Sequence, residues 1–213
     1  VQVLRARHTK AEWTTREVHP SGLDCAAAGG GRVEDSDHAY AAQRGAGPLG
    51  GFEIASIRET FEECGVLLAR RHGESGLIGA DVLKQVEDKH RDALNKGSIG
   101  FDAIMEEHRL TPANDLLVHY AHWITPANQP KRYDTQFYLA EAPAEHVAVH
   151  DGHEAVESIW IRPQDALTGC DQGRYTLVFA TQMNLKKLAR SNTVAEALAA
   201  AKASTVVTQG YRI

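Results

Sequence analysis

The chain has 213 residues, 43% hydrophobic and 24% charged, with a formal net charge of −5. That length suits one domain with additions, 1–213, and a substantial buried core. The acid surplus and the lack of any basic run exclude the electrostatic footprint of a nucleic-acid binder or of a protein held to an anionic membrane, which leaves small molecules as partners.

Three cysteines, Cys25, Cys64 and Cys170, form no C-x-x-C pair, which argues against a disulfide framework or a structural zinc site and for a reducing, cytoplasmic setting. The eleven histidines show no metal-site spacing, His150 and His153 included. No apolar run is long enough to span a membrane, the N-terminus lacks the order of a signal peptide, and the closing Y-R-I is not a peroxisomal S-K-L.

Val1 to Leu4 reads as a strand that gives way to a polar loop, R-A-R-H-T-K. Glu12 to Ala28 is irregular, with a turn at His19-Pro20-Ser21-Gly22. The cluster Gly29-Gly30-Gly31 follows, where the backbone can bend sharply and approach a ligand or metal. Gly45, Gly47, Pro48, Gly50 and Gly51 then mark residues 38–52 as a loop insertion, tolerable because closure entropy grows slowly with length.

The segment Ile57 to Leu68 predicts a helix ending at Gly65 as C-cap. Ile54, Ile57, Phe61 and Cys64 share one face, while Glu59, Glu62 and Glu63 fan over roughly 100° of the other. Carboxylates this close repel one another unless a cation lies between them, and hard oxygen donors favour Mg²⁺ or Mn²⁺. Arg58 is placed to steady one acid.

Beyond the acids, Asp81 to Asn95 (Asp81 as N-cap) and Phe101 to Leu110 predict two helices of a second insertion over 73–112, outside any sheet. Leu116 to Thr125 and Tyr133 to Ala140 predict an antiparallel strand pair joined through Pro126 to Pro130. Lys131 and Arg132 suit contact with phosphate, and Asp134 suits orienting Arg132 or capping the strand. Pro163 suits the first turn of a helix after Glu154, Glu157 and Trp160. Thr176 to Arg190 and Thr193 to Ala203 predict the last helices, and the tail after Ser204 is left without structure.

The string R-E-T-F-E-E-C-G-V, residues 58–66, resembles the second half of the Nudix box, R-E-U-x-E-E-x-G-U, with Thr60 in place of an apolar residue. The first half, G-x5-E, resembles Gly31 to Asp37, with Asp37 standing where a glutamate is usual. The residues between Asp37 and Arg58 interrupt the box, as in the branch related to the peroxisomal coenzyme A diphosphatase. The run W-I-T-P-A-N-Q-P-K-R-Y-D-T-Q-F-Y-L is similar to the same branch.

This resemblance implies an α/β fold, a Nudix-type α/β/α sandwich with a mixed sheet and additional helices. It implies metal-dependent hydrolysis of a nucleoside diphosphate linked to another moiety, with coenzyme A or its acyl derivatives as the leading substrates. ADP-ribose, a dinucleotide or a nucleotide sugar is the alternative, and a non-catalytic nucleotide-binding module the alternative of another class. It also implies Glu59, Glu62, Glu63 and the Gly30 carbonyl as ligands to Mg²⁺ or Mn²⁺, and Arg58 as an orienting partner. Glu154 is the loop candidate for general base, Glu59 or Glu62 the alternative within the box. Arg32, Lys131 and Arg132 stand as substrate contacts, and a homodimer is compatible with the terminal helices.

Overall fold

The structure, a computed structural model, describes residues 2–8, 33–47, 49–125, 133–144, 146 and 161–210. Four strands form a mixed sheet in the order β1-β5-β4-β6, where β1 is Gln2–His8, β4 Val118–Ile124, β5 Asp134–Ala140 and β6 Thr208–Gly210. β5 runs antiparallel to both neighbours, whereas β6 joins β4 in parallel. The short strands β2 (Ala69–Arg71) and β3 (Leu110–Pro112) pair antiparallel in a separate two-stranded sheet.

The centre of the molecule is β5. Successive side chains of a strand point to opposite faces, so Tyr138 and Ala140 enter one core and Phe137 and Leu139 another. In the first core lie Ile54, Ile57 and Phe61 of helix α2 (Gly50–Cys64). The second takes Ala197 and Ala201 of α8 (Val194–Ala203) and Leu188 of α7 (Phe179–Leu188). Helices therefore cover both faces of the mixed sheet, the arrangement expected of an α/β/α sandwich. On β4 a register shift between His119 and Ala121 lets Tyr120 and Ala121 enter the same core, since a bulge reverses the alternation.

Several sequence expectations need correction. The basic residues after Leu4 continue the strand: Arg5 to His8 pair with Phe137 to Asp134. The box insertion is largely helical, with α1 over Asp35–Gln43 and α2 already begun at Gly50. Gly50 opens that helix at a place where a Cβ would come within 2.5 Å of Ala46 Cβ and 3.1 Å of Ala41 Cβ, so the position needs glycine. Its hydrogen is what lets α2 cross so near the end of α1.

In the second insertion, α3 (Ala80–Val86) starts from Gly79 as N-cap rather than Asp81, passes through a π turn at Glu87–Arg91, and ends in α4 (Asp92–Asn95). α5 stops at Glu107 (Phe101–Glu107), because Arg109 takes a left-handed φ of 53° and turns Leu110 into β3. The insertion is thus bracketed by β2 and β3 rather than being helical throughout. The tail beyond Ser204 does form structure: β6 lies along the edge of β4. Asp134 bonds His122 Nε2 at 2.6 Å.

Pro163 opens α6 (Pro163–Asp171), as expected, and Thr193 caps α8 by accepting from the Glu196 N–H at 3.1 Å. No described helix is long and apolar enough to cross a membrane. Among the described residues, Cys64 and Cys170 form no disulfide. The expectations at Glu12 to Ala28, the triple glycine and Pro126 to Pro130 lie outside the described residues.

Candidate active site

The box helix α2 ends where its sequence said it would. Gly65 adopts φ 67°, and its N–H returns to the Phe61 carbonyl at 3.0 Å. Thr60, the polar departure from the motif, is buried and donates its hydroxyl to the Ser56 carbonyl at 2.7 Å. The helix itself satisfies the hydroxyl, so the apolar position tolerates it.

Arg58 organises the acids. Its Nε and Nη2 donate to Asp37 at 3.1 and 3.0 Å, Nη1 lies 2.5 Å from Glu59, and Nη1 also meets both Glu62 oxygens at 3.1 and 3.0 Å. The two-pronged contact with Asp37 reunites the halves of the interrupted box across the insertion. Asp37 in turn accepts the Glu34 N–H at 2.9 Å, closing a capping box on α1.

One buried guanidinium against three acids leaves an excess of negative charge. Burial works against the charge on Arg58, but Glu59, Asp37 and Glu62 together push its pKa well up. Glu59 is pushed up to about 8, by burial first, with Arg58 opposing and Glu62 and Asp37 adding. Glu62 rises to about 7, again by burial first, against the pull of Arg58. Glu63, also buried, follows on the same helix. Glu59 and Glu62 turn to Arg58, and among the described residues no three box carboxylates close into a single compact cluster. An all-carboxylate donor set with surplus charge fits a hard divalent cation such as Mg²⁺ or Mn²⁺.

Two supports of this helix escaped the sequence reading. Arg91, in the π turn, donates Nε to the Glu62 carbonyl at 3.1 Å and Nη1 to Glu87 at 2.6 Å. It thereby satisfies a carbonyl of the last helical turn, one of those left without an intrahelical donor. A Cβ on Gly65 would sit 2.9 Å from Glu87 Oε1 and 3.1 Å from Arg91 Nη1, so the C-cap glycine also makes room for this pair. Glu87 and Arg91 stand four apart, the one sequence signal that pointed to them. Gly30, Arg32, Lys131, Arg132 and Glu154 lie outside the described residues. An open groove of about 390 Å³ between β4 and α8, lined by Leu117, His119 and Lys202, contains no box residue.

Sandwich, left-handed glycine cap and arginine-centred acids define a Nudix-type domain. A solved Nudix hydrolase from Alicyclobacillus acidocaldarius has the same fold, with a TM-score of 0.61 at 24% identity over 78% of this chain and 77% of that one. The family described as the NUDT19 Nudix domain matches residues 46–182, and the chain belongs to that family. A Caenorhabditis elegans protein assigned to the Nudix hydrolases is 30% identical over 126 residues, 59% of this chain and 40% of its own. The acyl-coenzyme A diphosphatase NUDT19 of Xenopus laevis is 28% identical over 124 residues, 54% of this chain and 33% of its own. The aligned region thus spans well under half of these relatives' length.

Proposed function

We propose that the chain hydrolyses the diphosphate of coenzyme A or an acyl-coenzyme A in a reaction that depends on Mg²⁺ or Mn²⁺. The observation that carries this reading is the contact between Asp37 and Arg58, which rejoins a divided box beneath the acids of one helix. The family membership and the acyl-coenzyme A diphosphatase activity of the Xenopus relative support the substrate class.

A diphosphate resists attack because its oxygens repel an incoming nucleophile. A bound divalent cation neutralises that charge, orients the diphosphate and makes water more acidic. Glu59, Glu62 and Glu63 would hold it, with the Gly30 carbonyl as a further donor. Arg58 keeps two of those acids aimed and stays charged while doing so. Glu154 is the proposed base, and Arg32, Lys131 and Arg132 the proposed phosphate contacts.

The test is a panel of coenzyme A, acyl-coenzyme A, ADP-ribose and a dinucleotide, each with and without Mg²⁺, with products identified by mass. Release of 3′,5′-ADP and a phosphopantetheine, only with the metal, is the expected result. Turnover of ADP-ribose or the dinucleotide alone would replace the substrate, and no turnover of any would overturn the hydrolase reading.

A further inference from the structure

We propose that His90, Glu107 and His108 form a second divalent-metal site, of the zinc class, inside the helical insertion and separate from the box acids. The inference does not depend on the hydrolase reading. His90 comes from the π turn and is 5% exposed, Glu107 is the last residue of α5, and His108 caps that helix. Their ligand atoms all lie within 4.8 Å of one another.

Both imidazole Nε2 atoms are buried without a hydrogen-bond partner. A buried polar atom in that state has lost its hydration without compensation, so native proteins rarely leave two side by side without a reason. Ring packing alone does not supply one. The two rings meet edge to face, centroids 5.1 Å apart and planes at 88°, an attractive contact that still leaves both Nε2 atoms without a hydrogen bond.

His90 Nε2 lies 3.4 Å from Glu107 Oε2. Ligands bonded to zinc at about 2.0–2.1 Å in a tetrahedron stand about 3.3–3.4 Å apart, so this pair already has the spacing of one tetrahedral edge. Lys89 bonds the other oxygen, Oε1, which holds the carboxylate with Oε2 toward His90.

Two imidazoles and one carboxylate form a borderline donor set suited to Zn²⁺, unlike the all-oxygen set of the box helix, which suits Mg²⁺. Three protein ligands leave a fourth position for water. The Glu107 side chain is 42% exposed and offers an entry path. Such an ion would pin the π turn to the end of α5. Arg91, the next residue after His90, reaches the Glu62 carbonyl, so the tie would extend to the box helix.

The test titrates the metal-stripped full chain with Co²⁺ in saturating Mg²⁺, reading the intense visible absorption of tetrahedral cobalt bound by nitrogen. One equivalent, displaced by Zn²⁺, is expected. His108→Ala and Glu107→Gln should each weaken it by more than the about 10–100-fold that loss of an outer-shell partner costs, while Glu63→Gln leaves it unchanged. Should His108→Ala fail to fold by circular dichroism, Glu107→Gln decides, because its side chain is largely outside the core. No band in the wild type, an unaltered band in Glu107→Gln, or a band lost in Glu63→Gln would overturn the site.

Discussion

Arg58 carries more of the site than any acid it touches, because among the described residues it pairs with Asp37, Glu59 and Glu62 at once. Removing it leaves buried carboxylates without compensation. Arg58→Ala should therefore cost about 3–5 kcal/mol in urea denaturation; a loss below 1 kcal/mol would mean that the acids find other partners. Glu63→Gln should abolish nearly all Mg²⁺-dependent turnover with an unchanged melting curve, and unaltered turnover would remove Glu63 from the ligand set. The raised pKa values of Glu59 and Glu62, about 8 and 7 against 4.5, set a pH dependence. Between 4.5 and 8 the folded state holds more protons than the unfolded one, so this contribution to stability is lost as pH rises. A divalent cation competes with those protons. The rise in Tm with Mg²⁺ should accordingly be larger at pH 8 than at pH 6, and equal shifts at both would contradict the assignment.

At the scale of elements, the box helix is fixed at both ends by close approach. At its start Gly50 passes Ala41 and Ala46; at its end Gly65 turns left-handed beneath Glu87 and Arg91. Gly50→Ala puts a methyl group where only small side chains on two backbones could yield, and should destabilise by about 1–3 kcal/mol. Gly65→Ala adds left-handed strain to a clash and should cost more than the about 1 kcal/mol of a simple glycine replacement. Thermal denaturation compares the two directly, and a neutral Gly65→Ala would show that Arg91 and Glu87 move aside freely. The insertion between β2 and β3 therefore supports the helix as well as decorating it.

For the whole molecule, β5 supplies side chains to both cores, one set on each face, which gives them separable roles. Phe137 and Tyr138 are neighbours in sequence, yet one faces the C-terminal helices and the other the box helix. Phe137→Ala should lower stability by about 3–5 kcal/mol while the folded fraction keeps its affinity for Mg²⁺. Calorimetric titration of the folded variant checks this, and a matching fall in affinity would show that the two faces are coupled. On the open side, β6 completes the sheet with the tail of the chain.

The acids, the arginine and the glycine stop were legible from residue order because their spacing is local: one helix carries Arg58 to Gly65, and 3.6-residue periodicity decides which face each side chain takes. The paired strands β4 and β5 were legible for the same reason, through alternation. Partners distant along the chain were not. Only folding joins Asp37 to Arg58, Arg91 to the Glu62 carbonyl, His90 to His108 and Thr208 to His122. The glycines at 50 and 51 suggested a loop because flexibility and tight helix crossing use the same residue. Local periodicity names the groups that can do chemistry; long-range packing chooses which of them stand together.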